Sequence, residues 1–329
     1  ASNSTDVNER VERITFDDET VWDLTQGLIL NDSDEGHELY ASDANDTLHG
    51  NGGNDYIKGF AGNDIINGGA GRDLLYGGTG NDTYVFETGF GGSSPDIVNE
   101  ELGEGTDTLH FGSGITTDDV YSWSDTYGHL YMQLAGSPAD LLYIDGAYSS
   151  GTGVNIGGYV EYVTFDDATT WDLTQGLHLR NNDTARTLYG SAQNDVIEGG
   201  AANDTLRGFD GDDWLTGHDG NDALWGYDGA DTFAFMIEDV GYGIDTLRDF
   251  DLTEGDVIDL RDVLDGGYDP MTDALADYVQ FTNSGSNAAL SVDLDGAGTT
   301  YGWTQIATVY NHNNLDPDVL VASGNLLAA

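Results

Sequence analysis

The chain of 329 residues contains no cysteine, which excludes disulfides, thiolate catalysis and cysteine–zinc sites. Basic residues are scarce. Lysine and arginine total nine, Lys58 is the sole lysine, and no basic patch forms. Nucleic acid is thereby excluded as a partner. No run of eighteen apolar residues occurs, so no transmembrane helix is encoded. A basic-then-apolar N-terminal leader is also missing, which is compatible with cytosolic residence or with export through a C-terminal signal. No H-E-x-x-H, G-x-S-x-G or phosphate-loop string appears, and those are the short motifs that carry zinc, acyl-transfer and phosphoryl chemistry. Histidines 37, 49, 110, 129, 178, 218 and 312 are scattered. Carboxylates are so abundant that no pair singles out glycosidase chemistry. The chain is therefore expected not to be an enzyme.

What is abundant is acid, asparagine and glycine. Formal net charge is −51, and 47 of the 60 acidic residues are Asp. Helix-rich acidic chains favour Glu, whereas Asp favours turns and caps. The excess predicts a turn-rich, cation-binding protein. Such a charge opposes compaction unless counter-ions bind, so cations would have to act as the staple that disulfides cannot supply here. The length suits about two domains or a repeat array.

Residues 41–85 divide into five nonapeptides: ASDANDTLH, GNGGNDYIK, GFAGNDIIN, GGAGRDLLY and GGTGNDTYV. Residues 190–234 divide likewise: GSAQNDVIE, GGAANDTLR, GFDGDDWLT, GHDGNDALW and GYDGADTFA. The sixth place is always Asp: Asp46, Asp55, Asp64, Asp73 and Asp82, then Asp195, Asp204, Asp213, Asp222 and Asp231. The eighth place is always apolar, which gives a short strand one inward side chain. Glycine clusters at places one, two and four, where a sharp bend requires it. A carboxylate beside converging backbone carbonyls is an all-oxygen cage suited to calcium. Two nonapeptides make one strand–turn–strand–turn coil, so Asp46, Asp64 and Asp82 should line one side, with Asp55 and Asp73 on the other. A metal-free glycine-rich solenoid or a low-complexity segment would not need Asp at every sixth place.

The pattern G-G-x-G-x-D-x-U-x, with U apolar, resembles the repeats-in-toxin (RTX, haemolysin-type) parallel β-roll. The resemblance implies calcium between successive same-side turns. The pairs would be Asp46–Asp64, Asp64–Asp82 and Asp55–Asp73, then Asp195–Asp213, Asp213–Asp231 and Asp204–Asp222. Loop carbonyls at places one to four would complete each site: Gly50, Gly52, Gly53, Gly59, Ala61, Gly62, Gly68, Ala70, Gly71, Gly77 and Gly80 in the first block, and Gly199, Ala201, Gly208, Asp210, Gly211, Gly217, Asp219, Gly220, Gly226 and Gly229 in the second. Asp96 and Asp245, just past each roll, would help to close the last sites, giving about six to eight ions. Ala41, Ser42 and Ala44 replace the glycines of the first repeat, and Gln193 and Ala202 replace fourth-place glycines. Phe60, Phe209, His218 and Tyr227 fill second places, which still supply a carbonyl.

A larger repeat overlies the small one. Phe16, Trp22, Asp46, Asp82 and Phe86 recur as Phe165, Trp171, Asp195, Asp231 and Phe235, each 149 residues on. The array is expected to begin partway through such a unit. The expected fold is all-β, with two calcium-binding parallel β-rolls in tandem. Its parts are a hairpin tail of a preceding unit (1–31), a first roll (32–98), a linker β unit with a capping hairpin (99–180), a second roll (181–250) and a C-terminal β region (251–329). Trp22 and Trp171 are expected to close the open ends of the rolls, and Tyr121 and Trp123 to pack in a core rather than stack on a sugar. The hairpins resemble the unit that accompanies β-rolls in haemolysin-type proteins. The Asp-Phe…Gly-Asp-Val-Ile-Asp-Leu string and the strands after it resemble the C-terminal target region of type I secreted adhesins. Asp293 and Asp295 imitate the start of an EF-hand loop without its later ligands and read as an ordinary turn.

The functional expectation is a non-catalytic calcium-binding spacer and export segment of a secreted or cell-surface protein, unfolded at low calcium and folded after type I export. Its partners would be calcium and, during export, the secretion apparatus. Two alternatives remain: a calcium-dependent module binding a glycan or a surface, and an accessory module of a secreted enzyme.

Overall fold

The structure is a computed structural model that describes residues 13–15, 21–23, 27–112, 114–149, 153–298 and 300–329, with side chains described from residue 27 onward except at 147–149. Two compact units result, the first from 1–119, 133–145 and 158–170, the second from 120–132, 146–157 and 171–329.

In the first unit, Ile29–Asn31, Thr47–His49, Ile65–Asn67, Thr83–Phe86, Thr108–Phe111 and Tyr162–Phe165 pair in parallel, in that order. Glu38–Tyr40, Tyr56–Ala61, Leu74–Thr79, Asp96–Val98 and Leu141–Ile144 form a second parallel set. Register puts like on like: Leu48 opposes Ile66, Ile66 opposes Tyr84, and Tyr84 opposes Leu109. These four side chains are fully buried. One inward apolar side chain per nonapeptide thus builds a continuous column, as alternation along a strand requires. The parallel stack continues past residue 98, because loops after the last nonapeptide return the chain to the same two faces.

The second unit repeats the scheme. His178–Arg180, Val196–Glu198, Trp214–Thr216, Thr232–Ala234, Val257–Asp259 and Leu326–Leu327 stack in parallel. So do Thr187–Tyr189, Thr205–Asp210, Ala223–Asp228, Asp245–Leu247 and Thr304–Val309. The strands expected after the second roll are present, and Val279–Ser284, Asn287–Val292 and Thr304–Val309 pair antiparallel. A short helix precedes the last strand. Asp316 caps a short helix, Pro317–Ser323, through Asp318 N and Val319 N, and Gly324 ends it at φ 86°. The chain then adds Leu326–Leu327 to the roll. Proline at the first helical position and glycine just past the last explain both ends.

At the N-terminus, Arg13–Thr15 and Val21–Asp23 pair antiparallel, with Ile14 opposite Trp22; the turn expected between them lies outside the described residues. The side chain of Trp22 lies outside the described residues. Its counterpart Trp171 is buried and stacks on His178 at 5.3 Å, at the start of the second roll. Trp123 is also buried, with Tyr131 stacked at 5.5 Å and the Arg186 guanidinium 4.0 Å from its ring centroid. Asp295 accepts hydrogen bonds from Thr300 N and Tyr301 N, as a turn does.

Candidate metal centre

The sixth-place aspartates form four ladders, two in each roll. In each, the backbone N–H of one aspartate donates to Oδ1 of the aspartate a coil later. Asp46 N donates to Asp64 Oδ1 at 2.7 Å and Asp64 N to Asp82 Oδ1 at 2.7 Å, each across 18 residues. Asp55 N donates to Asp73 Oδ1 at 2.8 Å. In the second roll, Asp195 N donates to Asp213, Asp213 N to Asp231 and Asp204 N to Asp222. These are the six same-side pairs that the repeat pattern implies. They arise because parallel pairing in register places identical turns over one another.

The ladders do not stop with the nonapeptides. Asp73 N donates to Asp96 Oδ1 and Asp222 N to Asp245 Oδ1, each across 23 residues. Asp82 N donates to Asp107 Oδ1 and Asp231 N to Asp256 Oδ1, each across 25 residues. Asp107 N in turn donates to Glu161 Oε2 at 2.6 Å. Sequence reasoning found Asp96 and Asp245 but missed Asp107, Asp256 and Glu161. Their signal is the short string Asp-Thr-Leu, Asp-Val-Ile or Glu-Tyr-Val, an acid followed by an apolar residue two places on. Longer loops had broken the nine-residue period and hidden it.

Each ladder Oδ1 accepts a backbone hydrogen bond, and in nine of these aspartates Oδ2 accepts none. Among the described residues, Oδ2 of Asp55, Asp64, Asp73, Asp82, Asp96, Asp204, Asp213, Asp222 and Asp231 is buried without a hydrogen-bond partner. A buried carboxylate oxygen left unpaired is costly, so these nine point to a cation as the missing partner. The space for it is also present. A side chain built on Gly59 would collide with Asp64 Oδ2 and the Gly77 carbonyl, and one on Gly208 with Asp213 Oδ2 and the Gly226 carbonyl. The first-place glycine therefore leaves open a cradle lined by its own repeat's carboxylate and the next coil's carbonyl. Hard oxygen donors of this kind fit calcium.

The first repeat of each block is different. Ser42 N and Oγ donate to Asp46 Oδ2 at 2.6 and 2.9 Å. Ser191 N donates to Asp195 Oδ2 at 2.5 Å. Serine at the second place thus satisfies internally the oxygen that the later repeats leave unpaired. Second places carry a further feature that the sequence did not disclose. Asn51, Phe60, Phe209, His218 and Tyr227 all take positive φ, between 63° and 85°. The left-handed region costs a non-glycine residue about 1–2 kcal/mol. Phe209 and Tyr227 stack at 5.2 Å, a contact worth about 0.5–1.5 kcal/mol, which offsets part of the strain of these two residues.

Burial governs the electrostatics. It pushes the carboxyls of Asp64 and Asp73 up to about 6, Asp82 and Asp231 to about 7, Asp96 to about 8 and Asp213 to about 9. Asp222 is raised by burial and then by the charge of Asp245, whereas Asp245 is raised by burial against hydrogen bonds with Asp222 that lower it. Desolvation disfavours the ionised form in every case, and a bound cation would favour it.

Comparison with known proteins follows the same lines. A family model described as the RTX calcium-binding nonapeptide repeat matches four times, at residues 40–75, 59–91, 187–208 and 207–235. No curated protein sequence matches the chain. Among solved structures, an extracellular lipase of Serratia marcescens aligns over 89% of this chain at 16% identity and a TM-score of 0.32, and the chain spans 40% of that lipase. A subunit of the mannuronan C5-epimerase of Azotobacter vinelandii aligns over 37% of this chain and 72% of its own length, at 23% identity and a TM-score of 0.24. The turns at 40–91 and 187–235, which carry the ten sixth-place aspartates, thus match RTX calcium-binding nonapeptide repeats, in an all-β chain.

Proposed function

We propose that this chain is a non-catalytic, calcium-folded spacer and export segment of a larger secreted protein of adhesin type. The observation that carries the reading is the set of nine buried, unpartnered Asp Oδ2 atoms. Burying one Leu or Ile contributes about 1.5–3 kcal/mol. Ordering the nine residues around it costs about 1–2 kcal/mol each for the backbone alone. Apolar burial cannot close that gap, and the charge of −51 widens it. Calcium neutralises the carboxylates and ties coil to coil, so its binding free energy becomes folding free energy. At the low free calcium of a cytosol the segment stays expanded and can be threaded through a type I secretion channel. At extracellular calcium it folds and resists return. The six repeat pairs with the end sites at Asp96 and Asp245 give about eight ions, and the ladder pairs that end at Asp107 and Asp256 would add to that number.

The test is a calcium titration of the full chain by circular dichroism and analytical ultracentrifugation. Expansion in EDTA and cooperative compaction on adding calcium are expected. A chain that keeps its β signal and sedimentation coefficient in EDTA would rule out export before folding.

A further inference from the structure

The end of the first roll differs chemically from its interior. In the interior, Asp64 Oδ2 and the Gly77 carbonyl share the cradle over Gly59. One coil on, a side chain built on Gly77 would collide with Asp82 Oδ2 and with Glu100 Oε1. Glu100 thus puts a carboxylate oxygen where the preceding coil has a backbone carbonyl. Asp107 closes the third side, and ligand atoms of Asp82, Glu100 and Asp107, all buried, lie within 4.8 Å of one another. Asp82 is 1% exposed, and its Oδ2, aimed into this space, accepts no hydrogen bond.

Glu100 is held in place from the roll itself. Tyr84 donates its hydroxyl hydrogen to Glu100 Oε1, and Gly77 N donates to the Tyr84 oxygen at 2.5 Å. Gly78 N donates to Glu100 Oε2 at 3.4 Å. Tyr84 fills an eighth place, where an apolar side chain would serve the core equally well, and its hydroxyl is what reaches Glu100.

The second roll supplies an internal control. The residue 149 places after Glu100 is Asp249, one methylene shorter, and Phe233 stands at the counterpart of Tyr84. Asp249 spends both oxygens on the N–H groups of Gly226 and Tyr227, each at 3.0 Å.

We propose that Asp82, Glu100 and Asp107 form a three-carboxylate calcium site at the C-terminal end of the first roll, and that it fills before the repeat sites of that roll. The proposal rests on the calcium reading above and adds a ligand from outside the repeats. Its physical basis is charge. A carboxylate in place of a carbonyl adds one negative charge to the site, and ligand charge count tunes the affinity of oxygen-ligated calcium sites. A site of this strength at the roll's end would fix the last coil first and template the coils before it, as nearest-neighbour stacks propagate from a nucleus.

The experiment is a calcium titration of the full chain against a competing chelator, on the native sequence and on Glu100→Gln, Tyr84→Phe and Asp249→Asn. Glu100→Gln should lower the number of bound ions by one and weaken the tightest step about tenfold or more. Tyr84→Phe should keep the count and weaken the same step, and Asp249→Asn should leave that step unchanged. A second readout is a crystal structure grown with calcium, in which one ion should touch all three carboxylates. A full count with an unchanged tightest step in Glu100→Gln, or an ion on Asp82 with Glu100 turned away, overturns the proposal while leaving the repeat sites intact. Absence of any calcium binding by the native chain overturns the underlying reading instead.

Discussion

The backbone N–H of Asp64 donates to Oδ1 of Asp82 at 2.7 Å, across 18 residues, while Oδ2 of both aspartates stays buried and unpartnered. Each such aspartate stands between two coils, the one whose N–H it accepts and the one whose turn lies over its own.

Rank among the aspartates follows from this. Asp64 and Asp213 each belong to two ladder pairs. Asp64→Ala should therefore weaken calcium-induced folding more than Asp46→Ala, because Ser42 already satisfies Asp46 Oδ2. A shift of about tenfold or more in the calcium midpoint, about 1.4 kcal/mol, is expected for Asp64→Ala and Asp213→Ala. Equal midpoints for all three variants would contradict the shared-ligand geometry.

Filling the cradle should act like removing a ligand. Gly59→Ala would put a methyl group against Asp64 Oδ2 and the Gly77 carbonyl, whereas Gly52→Ala would meet nothing closer than 3.6 Å. Neither glycine has positive φ, so backbone strain does not separate them. Calorimetric titration should find at least one ion fewer for Gly59→Ala and the native count for Gly52→Ala. The same count for both would mean that the cation does not sit over the first-place glycine.

Acid should imitate calcium. Asp64, Asp73, Asp82, Asp96, Asp213 and Asp231 are raised in the folded, metal-free chain, from about 6 at Asp64 to about 9 at Asp213. A carboxyl with a raised folded-state value favours the fold while it is protonated. That stability is fully present below the unfolded value near 4, and it is lost as pH rises through the folded values. In EDTA, lowering the pH from about 9 toward 4 should therefore increase β structure, with the steepest gain in stability between about pH 6 and 4, where all of these carboxyls contribute. Calcium binding near neutral pH should release protons, measurable as a buffer-dependent heat. Loss of structure on acidification in EDTA would show that the ladders do not control the fold.

Protection should be graded along the chain. Hydrogen exchange with and without EDTA should show 41–85 and 190–234 losing protection first and regaining it together. The antiparallel strands at 279–292 and 304–309 have ordinary apolar alternation, with Leu290, Val292 and Val309 fully buried, and should keep more protection in chelator. Simultaneous loss everywhere would make the whole chain one cooperative unit.

The amino-acid sequence by itself determined the period, the inward column and the identity of the ladder aspartates, because all three repeat every nine residues. A local rule of that kind needs no long-range information: glycine where the turn bends, Asp at place six and an apolar residue at place eight. The exceptions inside the repeat were also visible, since Ser42 and Ser191 stand where glycine is expected. Tertiary structure decided what lies between and beyond the repeats. Asp107, Asp256 and Glu161 join the ladders only because loops of unequal length return the chain to register. Glu100 reaches Asp82 only because the roll's last turn and Tyr84 hold it there. Such contacts depend on where parallel strands place residues 18 to 54 positions apart; Asp107 carries only its Asp-Thr-Leu string, out of the nine-residue register, and nothing in the neighbouring sequence of Glu100 distinguishes it from the other carboxylates of this acidic chain.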